Sequence, residues 1–140
     1  MIMEKLQDIY STIQRTRSID MQLMALHSAT ERTTSVLRKT PRGTAETDYL
    51  EEQLDKITGF ERLYATELIA AMELIVEVDG YLRQLPRRHE DVMRLRYIDG
   101  REWKDVAKEL HYSEPHCYKL HREAVTILQN TEKIFNKLLI

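Results

Sequence analysis

The sequence predicts an all-α protein, with a long N-terminal helical hairpin or coiled coil followed by a C-terminal helix-turn-helix domain. Three observations carry this. The 140 residues include only four Gly and three Pro, too few for the turns of an all-β chain. Charged residues make up 31% and hydrophobic residues 42%, with the Leu, Glu, Lys, Arg and Ala usage of long helices. Apolar residues recur at spacings of three and four through most of the chain, which places them on one face of a helix.

The first element covers residues 2–38. Ile2, Leu6, Ile9 and Ile13 follow helical spacing, and Ile19, Leu23 and Leu26 resume it on a shifted stripe. That shift predicts a break or stutter near Thr16–Asp20. "KTPRGTAET", residues 39–47, reads as a linker because Pro41 and Gly43 interrupt it and no large apolar residue is present.

The second element is the most regular. Positions 50, 54, 57, 61, 64, 68, 71, 75, 78, 82 and 85 are apolar in ten of eleven cases, Glu61 being the exception. This is the seam of a coiled coil. Thr47 or Asp48 serves as its cap, with Glu51 and Glu52 in the first turn. A helix over 48–84 is about 55 Å long and cannot bury its stripe alone. It needs the N-terminal helix or another subunit. Gly80, after Asp79, predicts a bend or stop. The expected domains are therefore 1–79, the hairpin with its linker near 39–47, and 80–140.

Three shorter elements follow. Pro86 suits the first turn of a helix and precedes "RRHEDVMRLRYI". Asp99-Gly100 is a turn. "REWKDVAKEL" is a helix with Trp103, Val106, Ala107 and Leu110 on one side. "HYS" is a three-residue turn, and Ser113 caps a final helix whose first turn tolerates Pro115. Cys117, Leu120, Ala124, Ile127 and Leu128 form its apolar stripe, which extends towards Ile134, Phe135 and Leu138. A helix, a three-residue turn and a capped second helix make a helix-turn-helix pattern. Ala107 lets the two helices approach. His111 takes the positive-φ position of the turn, a conformation in which His is enriched.

Chemistry is not indicated. His111, His116, His121 and Cys117 have H-x4-H-C-x3-H spacing, and His116 and His121 project about 140° apart on a helix, so they do not form a close ligand pair. Cys117 lies on the Leu120/Ala124 stripe and reads as a core thiol. Trp103, on the Val106/Leu110 side, reads as core rather than as a platform for a base. Neither a phosphate loop, paired catalytic carboxylates nor a nucleophile–His arrangement is apparent, so no enzyme, cofactor or metal is expected. A single Cys fits a reducing cytoplasm. No signal peptide and no apolar run of about 18 residues is found, so no membrane partner is expected.

Charge is uneven. Residues 1–43 carry +3, 44–80 carry −8 and 81–140 carry +3, for a net −2. The acidic stretch reads as a solvated helix face, with a basic partner as the alternative.

The segment "LPRRHEDVMRLRYIDGREWKDVAKELHYSEPHCYKLHREAVTIL" resembles promoter-recognition region 4 of bacterial sigma factors. The shared frame includes Leu85-Pro86, Arg88, Val92, Leu95-Arg96-Tyr97, Gly100, Val106-Ala107, Leu110, Ser113, Ala124 and Leu128. Trp103, Tyr112, Leu120 and His121 make it similar to small phage and prophage sigma-like regulators, including the ArpU-type late-gene group. The resemblance covers the C-terminal 44-residue segment alone. It implies a cytoplasmic transcription regulator of a bacterial host cell that binds double-stranded DNA. By position, Glu114, Pro115, His116, Tyr118, Lys119 and Arg122 face DNA, and Arg87, Arg88, Arg101 and Lys104 contact its backbone. Sigma factors are more basic where this chain has Glu114, so the target sequence is expected to differ. Two other readings stay open. One is docking on RNA polymerase without base readout. The other is a DNA-packaging subunit of the small-terminase kind. A homodimer through the N-terminal helices is compatible with each.

Overall fold

The computed structural model describes residues 1–39 and 44–139, and these are all-α. Helix α1 spans Ile2–Lys39, α2 Thr44–Leu82, α3 Arg87–Met93, α4 Trp103–Leu110 and α5 Glu114–Leu139. A turn of π-helix, Arg94–Ile98, continues α3. No strand occurs among the described residues.

Four local expectations change. The central part of the linker, residues 40–43, lies outside the described residues. Residues 44–47 belong to α2, so Thr47 and Asp48 sit inside the helix rather than capping it. Ala45 and Glu46 are good helix formers, which favours the earlier start. Both α1 through Thr16–Asp20 and α2 through Gly80 are unbroken. The segment 87–98 is not one α-helix, because the Asp99 amide donates to the Arg94 carbonyl five residues back. Gly100, at φ 65°, then reverses the chain, a conformation that glycine adopts without steric cost.

The chain forms two compact units. One comprises residues 1–14 and 70–140, the other 15–69. This differs from the break expected at residues 79 and 80, and burial explains why. In the first unit Ile2, Leu6 and Ile9 pack with Val78 and Leu82, and with Met93, Ala124 and Leu128, in a single core. Each such side chain contributes roughly 1.5–3 kcal/mol on full burial, so the start of α1 and the end of α2 belong with the C-terminal helices. Polar contacts tie them further. Lys5 pairs with Glu77, and the Gln14 side-chain amide donates to the Gly100 carbonyl at 2.8 Å. Arg94 bridges Asp79 at 2.7 Å and Glu90 at 3.2 Å.

In the second unit Ile19 and Leu23 of α1 pack on Ile57 of α2, flanked by Phe60 and Tyr64. The shift of stripe between Ile13 and Ile19 therefore changes which core α1 serves without interrupting the helix. Glu61, the polar member of the α2 seam, is exposed and meets His27 at 3.5 Å.

Candidate nucleic-acid interface

Helix α4 ends in a Schellman arrangement. The Tyr112 amide donates to the Ala107 carbonyl at 3.0 Å and the His111 amide to the Lys108 carbonyl at 3.4 Å. That closure requires a left-handed residue just past the helix, and His111 supplies it at φ 58°, ψ 38°. Tyr112 then packs on the apolar cluster between the helices. The Ser113 hydroxyl accepts from the His116 amide at 3.2 Å, satisfying one of the free donors at the start of α5. Sequence reasoning anticipated the roles of His111 and Ser113.

Val92, Val106, Ala107, Cys117 and Leu120 form the core shared by α3, α4 and α5. Cys117 is fully buried. Burial first, and the Glu114 carboxylate second, push its thiol pKa up, the reverse of what a reactive thiolate needs.

A cluster of rings and one guanidinium lies beside this core. The Arg96 guanidinium sits 4.2 Å from the Tyr10 ring centroid and 4.9 Å from that of Trp103. Such a cation between two π faces is attracted to both. Its Nη1 donates to the Arg101 carbonyl at 2.9 Å. Trp103 makes edge contacts with Tyr118 and His121. Burial, then Arg96 and Arg122, hold the His121 pKa below its usual value, and its Nε2 is hydrogen-bonded to the Tyr97 hydroxyl at 2.6 Å. Trp103 is thus a half-buried hub that braces Tyr118 from beneath. The Arg96 clamp and the Tyr10 contribution were missed in the sequence. The "LRY" segment was recognised there, but nothing local indicates that its Arg reaches α1.

The candidate contact residues separate as follows. Glu114, Pro115, Tyr118, Lys119 and Arg122 are exposed and fall on one face of α5 at helical spacing. The Tyr118 hydroxyl lies 3.5 Å from the Glu114 carboxylate. His116 falls to the side of this face and is half-buried, its ring edge against Tyr112. Lys104 is exposed on α4. Arg101, just before it, is paired with Glu109. Arg87 and Arg88 are exposed in the first turn of α3. His89 of that turn donates to Glu123 of α5 at 2.7 Å, and this bond holds the Glu123 carboxyl pKa down. Four cations and three carboxylates stand on residues 103–122, so the surface is close to neutral.

The three histidines of the segment have separate surroundings. His111 is exposed in the turn, His116 meets Tyr112 and His121 meets Tyr97. Among the described residues no group of three or more His, Cys, Asp or Glu is placed to hold a metal. No described helix is long and apolar enough to cross a membrane. No family model, curated protein or solved structure matches the chain.

Proposed function

We propose that this chain is a sequence-specific DNA-binding transcription regulator of the phage or prophage sigma-like kind, acting in the host cytoplasm without catalysis. The observation that supports it most is the exposed face of α5. Glu114, Tyr118, Lys119 and Arg122 stand together there on a helix fixed by the His111 turn and the Ser113 cap. A helix of this kind fits the major groove.

Lys119 and Arg122 are the cations of that face. Each reads a guanine edge or meets a phosphate, and the two alternatives differ in sequence dependence. Glu114 repels phosphate but accepts from cytosine N4. Lys104, Arg87 and Arg88 contribute phosphate contacts that set register. The near-neutral surface implies weak non-specific binding, so most discrimination comes from the few side chains at the base edges.

A mobility-shift assay on fragments of the encoding genome tests this, comparing wild type with Lys119→Ala/Arg122→Ala. The expected result is a sequence-selective shift that the variant loses. The log–log salt dependence of any residual binding is then shallower by about two charges. No selective shift, or one unchanged in the variant, overturns the reading. Retention of RNA polymerase by both proteins without a DNA shift would favour the protein-docking alternative. That alternative draws support from the same near-neutral surface.

A further inference from the structure

Two apolar surfaces of the unit formed by residues 1–14 and 70–140 are left uncovered within that unit. On α2, Met72 and Val76 stand one turn apart, Val76 exposed by 75%. Gly80 follows one turn later, and a Cβ there would meet nothing within 4 Å. On α5, Phe135 and Leu138 continue the row of Ala124 and Leu128 beyond the core, with Ile134 beside them and Leu138 exposed by 79%. The surfaces join, because Gly80 and Phe135 line one groove together with Tyr81 and Gln84.

We propose that a second copy of the chain covers this surface, in a two-fold dimer whose axis passes beside Gly80. The α5 end of one copy lies on Met72 and Val76 of the other, and the reverse. A two-fold contact places opposite ends of one patch on each other, and here the two ends carry opposite charge. Glu73 lies three residues before Val76, while in the groove Glu77 is paired with Lys5 and Glu132 accepts from the Ile2 amide. Lys137 lies three residues after Ile134, and Lys133 directly precedes it. Both lysines and Glu73 are exposed, and these are the charges left to a partner. A basic partner would suit the α2 end but meet the lysines of α5, and an acidic partner the reverse. A second copy, turned by the two-fold, answers both ends at once.

Area supports the same occupant. At roughly 100 Å² on each of five large side chains, the patch offers about 500 Å² of apolar surface. That is at the upper end for a monomer's largest patch. Doubled across two copies, it reaches the roughly 1,000 Å² that a specific interface needs. Gly80 fits as well. A glycine weakens a helix interior relative to alanine, and no close contact among the described residues demands one. Beside a two-fold axis it lets two α2 helices approach closely.

The proposal does not depend on DNA binding, and its test contains no DNA. The full chain is examined by light scattering and sedimentation at up to about 100 µM, where a dimer of micromolar Kd is largely formed. The expected mass is twice the 16.6 kDa of one chain. Val76→Asp and Phe135→Asp, each checked for retained helical circular dichroism, are expected to be monomeric. Glu73→Lys and Lys137→Glu alone each weaken the dimer by about tenfold, and the double variant Glu73→Lys/Lys137→Glu restores it. A wild-type monomer throughout the range overturns the proposal. So does a ring of higher mass, a dimer indifferent to both Asp substitutions, or a failure of the double charge reversal to restore association.

Discussion

The Tyr97 hydroxyl and Nε2 of His121 are hydrogen-bonded at 2.6 Å, joining the π-turn to the middle of α5. Burial favours the neutral form of each ring, lowering the His121 pKa and raising that of Tyr97.

A pH dependence follows from His121. Its folded pKa lies below the ordinary 6.5, so below that value the unfolded chain binds a proton that the folded chain resists. The stability this group contributes is complete above pH 6.5 and is lost as pH falls towards the folded pKa. The slope is at most about 1.4 kcal/mol per pH unit for one proton. Urea unfolding of wild type and His121→Gln across this range checks it. Gln keeps an acceptor but does not titrate, so the difference between the two proteins should shrink as pH falls. Tyr97→Phe at neutral pH should cost about 1–2 kcal/mol by leaving the ring nitrogen without its partner.

The turn residue makes a second prediction. His111 holds φ 58°, a conformation that costs an L side chain roughly 1–2 kcal/mol and a glycine little. His111→Gly should therefore raise stability by about 0.5–1 kcal/mol. His111→Val should lower it by more than that, since a β-branched residue resists this region. Thermal unfolding monitored by circular dichroism distinguishes the two signs. The His111 ring is exposed, so loss of its packing does not obscure the backbone effect.

The third prediction concerns the shared core. A fragment of residues 80–140 keeps the helix-turn-helix but loses Ile2, Leu6, Ile9 and Val78 from the cluster around Leu128. Each missing side chain removes roughly 1.5–3 kcal/mol, against a total stability of about 5–15 kcal/mol for a domain. The fragment should show no cooperative thermal transition. Addition of a peptide covering residues 1–14 together with one covering 70–79 should restore one in part. A cooperatively folded 80–140 fragment would falsify the assignment of these residues to one unit.

The helix-turn-helix was legible because its signals are local. A Ser three residues before the amide it caps, a small residue facing Cys117 and a turn of fixed length are patterns readable over a few positions. What stayed hidden is long-range. Tyr10 meets Arg96 only because α1 packs beside the π-turn, and no spacing in either segment encodes that meeting. The π-turn was read as α-helix because apolar spacing in five residues cannot distinguish one wider turn. The 3-4 series along α2 was read correctly as a helix. It does not show that Ile57 and Val78 serve different cores, because both occupy equivalent positions of one repeat. Of the proposed contact face, the placement of Lys119 and Arg122 was legible. The turning of His116 onto Tyr112 depends on the path of the chain through the turn.

The Ile2 amide donates to Glu132, 130 residues further along the chain. Residues 2–13 are synthesised before the 15–69 unit, and α5, which covers them, after it. The apolar face at the start of α1 therefore lacks its full cover until the end of α2 and then α5 have been made. The 15–69 unit has its partners in hand earlier, so it is the part able to fold first during synthesis, while the unit with the helix-turn-helix waits for α5. Ribosome arrest at successive lengths should show compaction of the middle of the chain before any protection of its beginning.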